Sequence, residues 1–311
     1  MSGQPQAGLA TRPAADDPGD YGPVGRSGWL DVDWSAHQRW IVVDGQAVNT
    51  IELGAGPPIV FVHGLSGSWQ NWLEQLPALA RERRVITFDL PGFGRSPMPA
   101  ERITISGYAR LLDHLLGTLG VDAAAVVGNS MGGFVAAELA ITVPQRVERL
   151  VLVSAAGIST HADPRTQRAL PALRRAERLL LASGAWVATR SEAVARRPRL
   201  RETALNAVVQ HPRLLPAALA AEQVRGAGKP GLMQGFEAIF NYDVRDRLPG
   251  IACPTLIVWG ERDKLIGVRD ADVFAELIPN SRKVIFADTG HVPQLERPGA
   301  FNALLTDFLA E

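Results

Sequence analysis

The chain has 311 residues, of which 46% are hydrophobic and 21% are charged, a composition typical of folded globular proteins rather than disordered, fibrous or membrane-spanning ones. Its 32 basic and 32 acidic residues cancel, so no overall field favours nucleic acid or an anionic membrane as a partner. A single cysteine, Cys253, excludes an internal disulfide and a cysteine-rich zinc site.

The first segment, residues 1–28, is rich in Gly, Pro, Gln and Asp and has no apolar run of the signal-peptide type. Since it cannot bury enough surface to offset its ordering entropy, we expect a disordered N-terminal tail. No stretch reaches the roughly 20 consecutive apolar residues that a spanning helix needs. The sequence therefore predicts a cytoplasmic protein without stable membrane insertion.

The folded part begins near Trp29 and opens with a predicted hairpin, in which strands over 40–43 and 47–53 flank an Asp44-Gly45 turn. From residue 59 onward, short apolar runs alternate with helical patterns, as in buried parallel strands joined by crossover helices. The sequence thus predicts an α/β fold with a mostly parallel central sheet and helices on both faces. The predicted strands are 59–62, 85–88, 124–127, 150–153, 255–258 and 283–286, and the predicted helices are 68–80, 105–120, 131–143, 271–278 and 298–309.

Residues 159–235 interrupt this alternation, because they contain helix-forming Ala, Leu, Arg and Glu but no strand-like run. We predict a helical cap over this range, inserted into a core formed by 29–158 and 236–311. Its 12 Arg and 1 Lys against 5 acids give it a local charge of about +8. Either the arginine stems cover apolar surface on solvated helix faces, or the cap attracts an acidic substrate, lipid or protein.

A candidate nucleophile stands at the end of the strand predicted over 124–127. Gly128-Asn129-Ser130-Met131-Gly132-Gly133 directly follows that strand and opens a helix, as a nucleophile elbow must. A serine on so sharp a turn is strained, and side chains at the first two glycine positions would collide with the neighbouring strand and helix. The helix N-terminus favours a developing negative charge nearby. An ordinary serine cap is the alternative interpretation.

The loop His63-Gly64-Leu65 follows the first predicted parallel strand and could supply backbone donors for an oxyanion. We predict an oxyanion hole formed by the N–H groups of Leu65 and Met131, and a structural role for the His63 side chain. Two tryptophans just beyond this loop could line an acyl pocket or simply pack the core. The candidate pocket residues are Trp69, Trp72, Trp186 and Val292.

A base and an orienting carboxylate are found near the end of the chain. Asp263 follows the predicted strand 255–258 and His291 follows the strand 283–286, so both lie at the carboxyl edge of the sheet. The chain order Ser130, Asp263, His291 is that of α/β-hydrolase triads. Asp288 is the alternative carboxylate, but it precedes His291 by only three residues on the same segment.

From about Trp29 to Glu311 the chain resembles a capped α/β-hydrolase. The phrases that carry the resemblance are Phe61-Val-His-Gly64, Asp89-Leu-Pro-Gly-Phe-Gly-Arg-Ser96, Trp259-Gly-Glu-Arg-Asp263 and Gly290-His-Val-Pro-Gln-Leu-Glu-Arg-Pro298. The resemblance implies that Ser130 attacks an acyl carbon, that His291 takes its proton and later activates water, and that Asp263 fixes the imidazole tautomer. Similar enzymes that dehalogenate alkanes or open epoxides carry an aspartate where Ser130 stands, which argues against both activities.

An apolar pocket enclosed by a cap suits a small to medium hydrophobic carboxylic ester, so a carboxylesterase is the first expectation. The alternative is a carbon–carbon bond hydrolase of meta-cleavage dienoates, a subgroup that resembles this chain in its Gly-Asn-Ser-Met-Gly-Gly motif. Cap arginines such as Arg190 could bind that anionic substrate, but Val292 stands where the subgroup carries tryptophan. Perhydrolases, thioesterases and acyltransferases use the same triad with other acyl acceptors.

A ligand receptor that keeps the fold with little turnover is a further alternative, which the complete triad opposes. We expect no cofactor, because Pro97 replaces the third glycine of a dinucleotide loop in the run Gly92–Pro97 and no helix opens there. We also expect no metal, because the six histidines lack His-Glu-x-x-His spacing. The predicted partner is a small-molecule hydrophobic ester, and nothing in the sequence indicates an oligomeric state.

Overall fold

A computed structural model of the protein describes residues 21–23, 25–160, 172, 176–177, 179 and 181–311. Within these residues one sheet has eight strands in the order β1-β2-β4-β3-β5-β6-β7-β8. Strands β1 and β2 pair antiparallel, as do β2 and β4, whereas the remaining pairs are parallel. The strands are Gln38–Val43, Gln46–Leu53, Pro58–Val62, Arg84–Phe88, Ala124–Asn129, Val147–Val153, Thr255–Gly260 and Ser281–Phe286, numbered β1 to β8. This architecture confirms the predicted α/β fold.

The helices follow the strands along the chain and cover both faces of the sheet. Helices α1 to α11 span Trp34–His37, Leu76–Leu79, Ile105–Thr118, Met131–Thr142, Ser191–Arg196, Pro198–Leu205, Ala217–Arg225, Leu232–Phe240, Arg269–Leu277, Pro293–Glu296 and Pro298–Ala310. Short 3₁₀ helices lie at Gly28–Asp31, Trp69–Trp72, Pro144–Arg146, Pro212–Leu214 and Arg245–Gly250. Among the described residues, no helix is both long and apolar enough to cross a membrane.

The predicted opening hairpin is confirmed. Val43 of β1 pairs with Gln46 of β2, so Asp44 and Gly45 form a two-residue turn. Both have positive φ, 49° and 81°, which is the conformation that a tight hairpin needs and that Asp-Gly tolerates.

Side chains of the parallel strands alternate between two apolar clusters, one on each face of the sheet. In β3, Val60 and Val62 belong to the cluster that contains Leu112 of α3, while Ile59 and Phe61 face the cluster that contains Phe301 of α11. Successive residues of a strand point to opposite faces, so a strand covered on both sides is apolar throughout. This is why the central strands read as uninterrupted apolar runs.

The helix predicted over 68–80 is wrong in its extent. The structure has a 3₁₀ turn at Trp69–Trp72 and a separate one-turn helix, α2. Ser68 and Asn71 close a capping box on the first turn, and Pro77 lies at the start of α2. A proline has no N–H to donate to the preceding turn, so one continuous helix cannot run through this position.

The loop after β4 folds around its own buried carboxylate. Asp89 accepts hydrogen bonds from Asn49 Nδ2 at 2.7 Å and from the N–H groups of Trp69 and Arg95 at 2.9 and 2.8 Å. A Cβ atom on Gly94 would lie 2.1 Å from the Asp89 carboxyl carbon. The motif that begins at Asp89 therefore has a structural function in this loop.

The described part of the predicted cap contains helices over 181–188 and in α5 to α8, joined by turns and loops. Its predicted end at residue 235 falls inside α8, which continues to Phe240 without a break. Residues 161–171, 173–175, 178 and 180 of the predicted cap lie outside the described residues. The change in composition at residue 235 therefore does not coincide with a break in secondary structure.

The prediction of a disordered tail is wrong for its last residues. Ser27 Oγ and Trp29 Nε1 both donate to Glu74 Oε1 at 2.7 Å, and the Tyr21 hydroxyl donates to Glu296. These buried carboxylates give polar tail residues partners that composition alone does not reveal. The first 20 residues of the predicted tail lie outside the described residues.

Candidate active site

The candidate nucleophile occupies a strained turn between β5 and α4. Ser130 has φ 56° and ψ −119°, a conformation that costs a residue with a side chain about 1–3 kcal/mol. Its N–H donates to Val153 O at 2.9 Å, and its carbonyl accepts from Ala156 N at 3.1 Å. Hydrogen bonds to the neighbouring strand β6 and the loop after it thus hold the serine at the carboxyl edge of the sheet.

Glycines make this turn sterically possible. A Cβ atom on Gly128 would lie 2.2 Å from Gly132 O, and one on Gly132 would lie 2.1 Å from Val62 O in the neighbouring strand β3. A Cβ atom on Gly64 would come within 3.0 Å of the Ser130 Cβ atom. The collisions expected from the sequence at Gly128 and Gly132 are therefore present, and Gly64 adds a third close approach.

The candidate base and its carboxylate form a direct, buried pair. His291 Nδ1 and Asp263 Oδ2 are 2.7 Å apart, and the two side chains are 4% and 0% exposed. The other carboxylate oxygen, Oδ1, accepts the N–H groups of Leu265 and Ile266 at 2.9 and 3.0 Å. The imidazole is thus oriented with Nδ1 toward the carboxylate, which leaves Nε2 as the nitrogen that can act as a base.

The elbow and the histidine loop are joined through Asn129, to which the sequence assigned no role. Its Nδ2 atom donates to Val153 O at 3.0 Å and to the carbonyl of His291 at 3.3 Å. Within the described residues, the Ser130 hydroxyl makes no hydrogen bond to the imidazole. In enzymes without bound substrate such bonds are often long and tighten only in the substrate complex.

The two predicted oxyanion donors lie beneath the same helix. Leu65 follows β3 and Met131 is the first residue of α4, where an N–H has no acceptor within its own helix. A Cβ atom on Gly235 of α8 would lie 2.7 Å from Leu65 Cδ1 and 3.5 Å from Met131 Sδ. Residues Leu65 and Met131 therefore share one environment close to the elbow.

The His63 side chain is hydrogen-bonded within the loop that is predicted to supply the oxyanion hole, here called the oxyanion loop. Its Nε2 atom accepts the N–H of Leu90 at 2.9 Å, and its Nδ1 atom is 2.8 Å from Gly64 O. Burial lowers the pKa of His63, which favours the neutral ring with a proton on Nδ1. These contacts agree with the structural role expected of this side chain.

The predicted pocket residues are only partly brought to the site. Val292 is buried next to His291, and Trp69 is buried against Trp34 with ring centroids 4.9 Å apart. Trp72 has no accessible surface and lies 4.8 Å from the ring of Phe61, so its assignment to the pocket is wrong and it belongs to the core. Trp186 is 58% exposed and does not form a buried wall.

Two buried carboxylates near the site were not predicted. Asp270 accepts the N–H and the hydroxyl of Ser159 at 2.9 and 2.8 Å, which ties the start of the predicted cap to the segment after Asp263. Burial raises the pKa of Asp270, although the bonds from Ser159 oppose this shift. Glu296 is fully buried beside the histidine loop. The sequence signal that was available for Glu296 is an acidic residue directly after the apolar Leu295.

Comparison with known proteins agrees with this geometry. A family model described as the α/β-hydrolase fold matches residues 57–298. The chain belongs to the α/β-hydrolase family. Among the described residues of this α/β-hydrolase, no group of three His, Cys, Asp or Glu side chains is arranged to hold a metal ion.

The proteins that this chain resembles are named for several substrate classes. A 2-hydroxymuconate semialdehyde hydrolase from Pseudomonas sp. (strain CF600) is 32% identical over 88% of this chain and 94% of its own length. The solved structure of an enzyme that degrades N-acyl homoserine lactone is 30% identical, with a TM-score of 0.67, over 87% of this chain and 100% of that one. A membrane phospholipase A, described as a bacterial virulence factor, is 28% identical with a TM-score of 0.71, over 88% and 85% of the two chains.

Proposed function

We propose that this α/β-hydrolase is a serine hydrolase that cleaves small to medium hydrophobic carboxylic esters through an acyl-enzyme on Ser130. The observation that carries the proposal is the buried 2.7 Å hydrogen bond between His291 and Asp263, at the sheet edge where Ser130 is held in its strained turn. A histidine that is oriented by a carboxylate and lies at the same sheet edge as a serine is the arrangement that activates a hydroxyl for acyl transfer.

The proposed reaction has two steps, the acylation of Ser130 and the hydrolysis of the acyl-enzyme. His291 Nε2 removes the hydroxyl proton as Ser130 Oγ bonds to the acyl carbon, and the N–H groups of Leu65 and Met131 receive the oxyanion. The imidazolium then protonates the departing alcohol, which leaves the acyl group on Ser130. A water molecule, deprotonated by His291, attacks this ester and releases the acid. Asp263 holds the tautomer and stabilises the imidazolium through both steps.

Apolar side chains near the elbow support an ester with a hydrophobic acyl group. Leu65, Phe93 and Met131 surround the position that a Cβ atom on Gly235 would occupy, at 2.7, 3.1 and 3.5 Å. These side chains pack closely against α8 and present carbon and sulfur rather than charge, which is the chemistry of a site for an apolar acyl group.

The second candidate is the hydrolysis of a carbon–carbon bond in a meta-cleavage-type dienoate. It is favoured by the relative named 2-hydroxymuconate semialdehyde hydrolase, which this chain matches over 94% of that protein's length. Arg190 gives it little support, because its guanidinium lies 4.1 Å above the Trp186 ring and contacts Trp186 O and Thr189 Oγ1. This arginine is engaged within the cap helices.

The test measures steady-state turnover of p-nitrophenyl esters with graded acyl chains and of a meta-cleavage dienoate. Ester turnover should dominate, and Ser130→Ala should lower kcat by at least about 1,000-fold because the nucleophile is lost. A fluorophosphonate should add covalently to the native chain at Ser130, as read by mass spectrometry. Dominant dienoate cleavage would favour the second candidate, and unchanged ester turnover in Ser130→Ala would contradict the proposal.

Ser154→Ala is the matched control. Ser154 follows the adjacent strand β6 at the same sheet edge and also has a positive φ, 46°. Its hydroxyl is buried without a hydrogen-bond partner among the described residues. Removing it should leave kcat within about twofold of the native value, since no interaction is lost.

A further inference from the structure

The histidine loop, residues 290–292, wraps around a single buried carboxylate. The N–H of Gly290 lies 3.0 Å from both oxygens of Glu296, and the N–H of Val292 lies 3.4 Å from Oε1. Glu296 has no accessible surface. The two backbone positions that flank His291 are therefore both fixed by Glu296.

The same carboxylate also binds a segment that is distant in sequence. Gln210, in the predicted cap, donates its N–H to Glu296 Oε2 at 2.8 Å. Two residues earlier, Val208 accepts the N–H of His291 at 2.9 Å. The segment 208–211 thus runs alongside the histidine loop and shares its anchor.

Tyr21 completes this network from the opposite end of the chain. Its hydroxyl donates to Glu296 Oε2 at 2.5 Å and accepts the N–H of His211 at 2.9 Å. The next residue, Gly22, donates its N–H to Glu296 O at 2.7 Å. One phenolic oxygen therefore connects the carboxylate to the segment 208–211.

The protonation states of Glu296 and Tyr21 agree with the directions of these hydrogen bonds. Four donors point at Glu296, from Tyr21, Gln210, Gly290 and Val292, and the ionised carboxylate is the form that accepts them all. Burial raises the pKa of Glu296 above its ordinary value, and these four hydrogen bonds offset that rise only in part. Burial and the nearby carboxylate both raise the pKa of Tyr21, so its hydroxyl keeps the proton that it donates.

We propose that Tyr21 and Glu296 are positioning residues that hold His291 in register with Ser130. The inference rests on the proposed function, in which His291 is the base. Neither residue touches the reacting atoms; they act through the backbone on each side of the histidine. Displacement of a catalytic group by about 1 Å can reduce turnover by about 100-fold, so anchoring of this loop affects the rate directly.

Replacement of the phenolic oxygen tests the network with little change in shape. Tyr21→Phe removes one donor from Glu296 and the acceptor of the His211 N–H, but it keeps the ring beside His211, whose centroid is 5.3 Å away. We expect kcat for a p-nitrophenyl ester to fall by roughly 5- to 30-fold, with KM changed less than about twofold, because orientation of the base rather than substrate binding is altered.

Tyr242→Phe is the matched control for this variant. The Tyr242 hydroxyl also donates to a buried carboxylate, Glu138, at 2.6 Å, and Arg247 bonds the same carboxylate. This pair holds α4 and the segment after α8, not the histidine loop. Both variants should show a similar decrease in Tm, but only Tyr21→Phe should lower kcat and shift or broaden the low-field proton NMR resonance of His291 Nδ1–H.

Equal kcat values in the two Tyr→Phe variants, or an unmoved His291 resonance in Tyr21→Phe, would overturn the positioning role. Ser130→Ala, measured in parallel, separates this failure from failure of the proposed function. If Ser130→Ala is inactive while Tyr21→Phe matches its control, only the positioning role is wrong. If Ser130→Ala remains active, the proposed function itself is wrong.

Discussion

The nucleophile elbow and the histidine loop are built in opposite ways. The motif that permits the elbow lies within 128–133, where glycines allow the turn and α4 begins one residue after Ser130, although β3 and β6 also contact it. The histidine loop is shaped by contacts with Asp263, with the segment 208–211 and with Tyr21, 28 to 270 residues away. The elbow can thus be recognised from a contiguous motif, whereas most contacts of the histidine loop form only when distant segments meet.

The two halves should therefore fail in different ways. A change in the elbow alters backbone sterics and should damage folding together with activity. A change around the histidine loop removes one of several polar contacts, so the fold should persist while the orientation of the base is lost. The following variants test this contrast, beginning with the largest expected effect.

The largest effect should come from the carboxylate that faces His291. Asp263→Asn keeps the side-chain shape but presents an amide to Nδ1, which favours the wrong imidazole tautomer, so kcat should fall by about 10,000-fold. Asp288→Asn is the control, since Asp288 is half-exposed and bonds His211 rather than His291. Its kcat should stay within about threefold of the native value. A larger loss in Asp288→Asn than in Asp263→Asn would assign the orienting role to the alternative carboxylate.

In the elbow, a single methyl group should be enough to cause damage. Gly132→Ala would place a Cβ atom 2.1 Å from Val62 O, and this backbone contact cannot be relieved by rotating a side chain. We expect the free energy of unfolding to fall by about 3 kcal/mol or more, the range of severe overpacking. Gly250→Ala is the control, because nothing lies within 4 Å of its added Cβ atom. Urea unfolding of the two variants measures the difference, and equal stabilities would contradict the steric account.

The accuracy of the sequence-based predictions also differs between the elbow and the histidine loop. The strand, the glycines and the helix around Ser130 are contiguous, so a short motif was sufficient to predict the elbow. Asp263 and His291 were located because each follows a buried strand at the same edge. The anchors of the histidine loop were missed, because no local pattern indicates that Tyr21 meets Glu296 across 275 residues.

The errors have the same origin. Trp72 was assigned to the pocket because it follows the oxyanion loop, yet the 3₁₀ turn directs its ring onto Phe61 in the core. Residues 21–28 were assigned to a disordered tail from composition, although buried Glu74 and Glu296 supply their partners. In each case tertiary contacts decide the outcome, and these contacts cannot be deduced from the neighbouring sequence.

The smallest effect concerns His63, which supports the elbow side of the site and gives it a pH dependence. Burial lowers the pKa of His63 in the folded protein below the unfolded value of about 6.5, so the unfolded state binds the proton more readily. Its contribution to stability is therefore present above pH 6.5 and is lost as the pH falls below that value.

Urea unfolding between pH 7.5 and 5.5 measures this contribution. The free energy of unfolding should decrease by up to about 1.4 kcal/mol per pH unit below 6.5 from this one residue, less where the nearby Asp89 charge opposes the shift. In His63→Gln this component should disappear, and subtraction of the two profiles cancels the titration of other groups. His114→Gln, at an exposed histidine that contacts Asp44, is the control for the same replacement outside this loop. A native slope in His63→Gln as well would show that the oxyanion loop does not depend on a neutral imidazole, and support of the elbow would then be steric alone.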